Sequence, residues 1–192
     1  MRKVVVSERV TLDGVFDADT MEQWYIPYHS DDRGEYIKEG ILACDVYLLG
    51  RATYEMFSAY WPTLRNNEMG IVDKVNSMPK VVVSSTLEKA EWNNSTIIKD
   101  VKRVVEEITR LKQQPGQDIL IEGSATLVQS LMETDLIDEY RFLVHPVIMG
   151  SGKRFFKDGN KATLKLVEAK TFSSGVVLLR YQPDRKEHGG SK

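Results

Sequence analysis

Three segments of the sequence run from the end of a short apolar stretch into glycine, serine or threonine, at once or after a single residue: Leu49-Gly50-Arg51-Ala52-Thr53-Tyr54-Glu55, Val83-Ser84-Ser85-Thr86 and Ile121-Glu122-Gly123-Ser124-Ala125-Thr126-Leu127. Read as strand ends that run into helix starts, they share one rim of an open sheet, where ligands bind beyond the carboxyl ends of parallel strands. Helix N-termini offer unpaired N–H groups and a partial positive charge, which suits phosphate oxygens. Gly123 lets a backbone approach closely, and the guanidinium fork of Arg51 matches phosphate geometry. The set is a candidate dinucleotide cradle. Each member also has an ordinary structural reading: a glycine after a strand turns the chain, Thr53 and Thr126 cap helices, and Ser84-Ser85 solvates a loop. Neither G-x-G-x-x-G nor G-x-x-x-x-G-K-[ST] occurs, so the glycine fingerprints of Rossmann and P-loop proteins are not invoked.

For proton transfer, Asp13 at the end of the first strand is the best-placed carboxyl and the candidate catalytic residue, with turn formation before Gly14 as its plain alternative. Trp24, with Tyr25 and Tyr28, can wall an aromatic ligand by stacking, or bury against the sheet or a partner subunit. Glu122 precedes the candidate phosphate turn, where its charge would repel a pyrophosphate; it is expected to point away. Glu55, one turn into its helix, suits the helix dipole, and His145 before Pro146 reads as a packing residue. Cys44 is the only cysteine, and with His29, His145 and His188 it makes no metal-ligand spacing, so no metal and a buried, inert thiol are expected. A serine-hydrolase reading lacks its G-x-S-x-G elbow.

These residues need a scaffold, and the apolar pattern supplies one. Val4-Val5-Val6, Val46–Leu49, Val81-Val82-Val83 and Ile119-Leu120-Ile121 are short continuous apolar runs, the mark of strands covered on both faces. Between Asp100 and Leu111, Val101, Val104, Val105, Ile108 and Leu111 recur at helical spacing with Asp100 as N-cap and Pro115-Gly116 as the stop. Such alternation predicts α/β architecture with a mainly parallel sheet between helices. Tyr140–Ile148, Thr163–Phe172 and Val176–Tyr181 read as β structure, the last two joined at Ser173-Ser174-Gly175 as an antiparallel hairpin, which makes the sheet mixed. A single domain is expected over 1–182, with 183–192 a polar tail. The chain has 192 residues, 42% hydrophobic and 28% charged, and a formal charge of −2, which suits a folded soluble protein and gives no basic surplus for nucleic acid. Without an apolar run of about 18 residues or a signal peptide, no membrane association and a cytoplasmic location are expected.

Taken in order, Thr11-Leu12-Asp13-Gly14, Gly50-Arg51-Ala52-Thr53-Tyr54-Glu55, Val82–Thr86, Gly123–Leu127, Leu136–Glu139 and His145-Pro146-Val147-Ile148-Met149-Gly150-Ser151-Gly152-Lys153-Arg154-Phe155-Phe156 resemble the dihydrofolate-reductase-like family. The nearest branch is similar to free-standing relatives of the reductase domain of the bacterial riboflavin-biosynthesis deaminase/reductase. The resemblance runs from about Lys3 to Tyr181, and the His145–Phe156 motif is its most specific part. It implies a three-layer α/β/α fold, NADPH as hydride donor with NADH not excluded because Ser85 stands where many relatives carry arginine, and a homodimer. It places Gly50, Arg51, Thr53, Gly123, Ser124, Ala125 and Thr126 at the cofactor phosphates and Ser84 and Ser85 beside the adenosine ribose. Gly150 and Gly152 fall in a loop near the substrate, or only turn the chain. The implied function is an NAD(P)H-dependent reductase acting on a small heteroaromatic (pterin- or pyrimidine-like) or carbonyl substrate. The alternative is a dimeric nucleotide-binding module without turnover.

Overall fold

The computed structural model describes residues 1–185. Its strands are β1 (Val4–Thr11), β2 (Cys44–Gly50), β3 (Lys80–Val83), β4 (Ser95–Ile98), β5 (Asp118–Ile121), β6 (Glu139–His145), β7 (Leu164–Thr171) and β8 (Val177–Pro183). They form one sheet in the order β4-β3-β2-β5-β1-β6-β8-β7. Every join from β4 to β6 is parallel. The joins of β6 to β8 and β8 to β7 are antiparallel, so the C-terminal hairpin closes the sheet as its sequence pattern predicts.

The continuous apolar runs are explained by cover on both faces. On one face α5 (Val101–Gln113) and α6 (Ala125–Leu131) pack Val104, Ile108, Leu127, Val128 and Leu131 onto Val4, Val6, Leu48, Ile119 and Ile121. On the other, α3 (Arg51–Tyr60) and α4 (Val72–Ser77) bring Tyr54, Val72 and Val75 to Tyr47, Leu49, Val82 and Leu120. Beside them, after the one-turn α1 (Met21–Trp24), α2 (Asp31–Leu42) lays Tyr36 and Ile37 over Leu143, Phe172 and Leu178. Helices thus flank a mixed, mainly parallel sheet, giving three layers. Asp100 caps α5 by accepting the Lys102 N–H at 2.9 Å.

Two elements carry no clear periodic signal. Strand β4 is a four-residue edge strand that is only half-buried, and α2 opens on Asp31-Asp32-Arg33-Gly34 and fully buries only Arg33 and Ile41. The expected tail from 183 is corrected in its first residues. Pro183 is still in β8, the Asp184 N–H donates to the Thr163 carbonyl at 2.9 Å, and Arg185 donates to the Ile137 carbonyl at 3.1 Å. The rest of that tail, 186–192, lies outside the described residues.

One irregularity of register prepares the site. Strand β1 pairs with β5 only from Val4 to Val6, whereas it follows β6 all the way from Val5 to Thr11. Beyond Val6 and Ile121 the two central strands therefore part, and Glu8, Arg9, Glu122 and Gly123 border the opening.

Candidate functional site

The turn that ends β2 and the turn that ends β5 fit into one another. A Cβ added to Gly50 would lie 2.3 Å from the Ser124 Cβ, and one added to Gly123 would lie 2.3 Å from the Thr53 Oγ1. Each glycine thus leaves room for a side chain of the opposite turn. Gly123 also has φ +62°, a backbone region that favours glycine. Packing at this distance brings the N-terminus of α3 beside the start of α6, as strand-end logic predicts.

A cleft of about 570 Å³ opens along these turns, lined among others by Gly50, Arg51, Ser84, Ser85, Ser124 and Thr126. Gly50 is the N-cap of α3 and has no side chain to satisfy the first-turn N–H groups, which leaves them available at the cleft. Arg51 is half-exposed and is oriented by Glu55, 2.7 Å from its Nε, and by the Thr86 hydroxyl, 2.7 Å from its Nη1. Ser84 uses its hydroxyl to accept the Leu87 N–H at 2.9 Å, which shapes the loop after β3. Lys99, just past β4, adds a second cation to the lining.

Three of the expected cofactor contacts are placed differently. Thr53 is buried and its side chain faces Gly123; Ala125 belongs to the core under α6; the Gly123 N–H is already donated to the Glu8 carboxylate at 2.9 Å. Thr53 and Gly123 build the junction of the two turns and Ala125 packs in the core, and none of the three is among the residues lining the cleft. Glu122 turns away from the cleft, as its charge requires. Its carboxylate pairs with Arg9 and accepts the Tyr47 hydroxyl at 3.0 Å. Burial pushes the Glu8 carboxyl and the Tyr47 phenol well above their ordinary pKa values.

Just past the end of β1, Asp13 is engaged by its own neighbourhood. It accepts the Thr11 hydroxyl at 2.6 Å and the N–H groups of Met149 (3.2 Å) and Gly150 (2.9 Å). These bonds, the Thr11 hydroxyl foremost, hold it down to a pKa of about 2, so it is an anion that clamps the 149–154 loop to β1. Gly150 serves that clamp and Gly152 abuts Val15; neither is among the residues lining the cleft. Trp24 is 1% exposed, with its indole edge-on to His145 at 5.2 Å and its Nε1 donating to Thr20 at 3.1 Å. It is buried, the alternative open from its sequence, and presents no free stacking face.

A family model for the RibD C-terminal domain matches residues 2–178. The chain belongs to that family. It is 32% identical over 184 residues to the protein YyaP of Bacillus subtilis (strain 168), with 94% of each chain covered. A pyrimidine reductase-like protein of Corynebacterium diphtheriae superposes with a TM-score of 0.65 at 11% identity, over 96% of this chain and 93% of that one. A diaminohydroxyphosphoribosylaminopyrimidine deaminase/5-amino-6-(5-phosphoribosylamino)uracil reductase of Thermotoga maritima gives 0.65 at 17% identity, over 95% of this chain and 56% of that one. At these identities the two structures speak for the fold. On the RibD C-terminal scaffold, sequence reasoning missed Lys99 because it missed β4, although a lysine between Ile98 and the capping Asp100 was a readable sign. It named Glu122 but not its pairing with Arg9, since nothing in a sequence marks two residues so far apart in the chain as partners.

Proposed function

We propose that this chain is an NAD(P)H-dependent reductase, with the dinucleotide in the cleft at Gly50 and Ser124 and a small heteroaromatic or carbonyl compound as substrate. The observation that carries the reading is the mutual fit of the turns at Gly50–Thr53 and Gly123–Ser124, which gathers an uncapped helix end and two cations at one cleft. The residues present fit a dinucleotide. The free N–H groups of α3 and the guanidinium of Arg51 suit the diphosphate, Ser85 and Thr86 flank the sugar side, and Lys99 offers a charge to a 2′-phosphate that Ser85 cannot. When bound, the cofactor supplies a hydride; the protein positions it, screens it from water and holds the substrate against it.

Thermal unfolding with and without NADPH tests this. A hundredfold excess over Kd stabilises by about 2.7 kcal/mol, and Arg51→Ala should weaken binding by about 1 to 3 kcal/mol through lost charge-assisted hydrogen bonds. No shift at millimolar NADPH or NADH would overturn the reading. The engagement of Asp13 favours the second reading, a nucleotide-binding module without turnover. Loss of reduced-nicotinamide absorbance with a panel of pterins, pyrimidines and quinones separates the two, because a module binds without oxidising.

A further inference from the structure

Arg33 is in the first turn of α2, 2% exposed, and departs from what a buried arginine normally shows. Its Nη1 approaches His145 Nε2 at 3.0 Å and the Tyr25 carbonyl at 3.5 Å, and its guanidinium carbon is 4.6 Å from the centre of the Tyr25 ring. The Nε is buried with no hydrogen-bond partner. Among the described residues no carboxylate pairs with it. Asp32 is next in sequence, but its oxygens face the hairpin turn, accepting the Ser173 N–H at 2.8 Å and the Ser173 hydroxyl at 2.9 Å. Arg9, the other guanidinium in this region, is committed to Glu122.

Each of these features is unfavourable to the fold alone. A buried charge without a counter-ion keeps most of its desolvation cost, an orphaned donor adds to it, and a cation in the first turn opposes the helix dipole. His145 supplies one acceptor but no counter-charge: its Nδ1 lies 3.2 Å from the Val10 carbonyl and 3.1 Å from the Leu143 carbonyl and donates there, and its Nε2, facing a guanidinium that can only donate, accepts from Arg33 Nη1, so the ring is neutral. Residues that break several local rules at once without compensation mark functional positions. The unengaged edge of Arg33 is the Nε–Nη2 edge, the fork that takes a planar carboxylate or a phosphoryl group with two parallel hydrogen bonds.

We infer that Arg33 anchors a substrate subsite for an oxyanion, a carboxylate or phosphoryl group, beneath the aromatic cover of Trp24, Tyr25 and Tyr28. Access follows from how that cover is held. Between Asp17 and His29 the turn-forming backbone hydrogen bonds stay inside the segment, from Thr20 to Asp17, Tyr25 to Met21, Tyr28 to Tyr25 and His29 to Ile26. The cover meets the sheet through the rings of Trp24, Tyr25 and Tyr28 on His145, and meets α2 through Tyr25 on Arg33, contacts that can part without breaking a strand or a long helix. That the ligand is a substrate rests on the reductase reading above; that the site takes an oxyanion does not.

Tryptophan fluorescence, to which Trp24 contributes, and thermal unfolding read the test on the full chain, with inorganic phosphate and benzoate as probes, each with and without saturating NADPH. The expected result is a saturable response that Arg33→Met weakens at least tenfold while NADPH affinity changes less than twofold. A response to benzoate alone or phosphate alone identifies which oxyanion the subsite takes. Without anion, Arg33→Met should melt no lower than the native chain, since an uncompensated charge has gone. An equal response in both chains, no saturable response in the native chain, or a fall of several degrees in the variant would each overturn the inference, the last by making Arg33 a packing residue. Arg33→Lys is the second check: it keeps the charge and loses the fork, so an undiminished response in that variant also overturns the site. Anion binding at Arg33 without NADPH binding would retire the reductase reading alone.

Discussion

The cleft at Gly50 and Ser124 and the interior beneath Trp24 treat charge in opposite ways. In the cleft, Arg51 is half-exposed, and its partners Glu55 and Thr86 belong to the same rim. In the interior, Arg9, Glu8, Glu122 and His145 are buried or nearly so, and their partners come from strands far apart in sequence. Water screens the first group, so its charges are free to meet a ligand at small cost to the fold. The second group has no such screen, and every one of its charges is either paired, neutralised by a shifted pKa or, at Arg33, left over.

That contrast is broken most directly at Arg9. Arg9→Met leaves the Glu122 carboxylate buried with only the Tyr47 hydroxyl, and the expected loss is about 3 to 5 kcal/mol by urea unfolding. Adding Glu122→Gln removes the stranded charge and should recover at least half of it. Arg51→Ala, the same kind of truncation in the cleft, should move stability by no more than about 0.5 kcal/mol. Comparable losses at the two arginines would show that the interior is as well screened as the rim.

A smaller effect sharpens the picture of the cleft as a product of backbone fit. Gly50→Ala places a methyl group 2.3 Å from the Ser124 Cβ, at an ordinary negative φ, so its cost is steric overlap and not backbone strain. A loss of about 2 to 3 kcal/mol is expected. Since the obstacle is the Ser124 side chain, Ser124→Gly in the same chain should restore most of it. A double variant as unstable as the single one would mean that the turns do not depend on each other.

The same contrast decides what could be read from the sequence. Every cleft segment is contiguous: a strand end, a glycine or serine, a helix start. Strand–helix alternation alone then brings those ends to one rim. Glu8 and Gly123 are 115 residues apart and Arg33 and His145 are 112 apart, and neither pair has a local signature. Asp13 is ambiguous for a related reason. A carboxyl before glycine at a strand end looks the same whether it relays a proton or clamps a loop, and only the N–H groups of Met149 and Gly150, 136 and 137 residues on, distinguish the two. β4 and α2 were missed because each buries too little apolar surface to show a period.

The smallest effect concerns His145, which is fully buried and faces Arg33 on α2, Arg9 on β1, and Tyr25, Tyr28 and Trp24 from the cover. Burial foremost, with the Arg33 and Arg9 charges adding to it, lowers its pKa to about 4. The folded chain therefore keeps the ring neutral between about pH 4 and the ordinary histidine value near 6.5, where the unfolded chain binds the proton. Stability contributed by His145 is complete above that window and is lost as pH falls through it, about 2 kcal/mol of it by pH 5. Glu8 runs the other way: its raised pKa favours the folded state as pH falls, so the native profile alone mixes the two. The difference in unfolding free energy between the native chain and His145→Gln, measured from pH 8 to pH 5, isolates the histidine. A difference that stays flat would mean that His145 takes up its proton as readily folded as unfolded, and the interior would then be open to water in the way the cleft is.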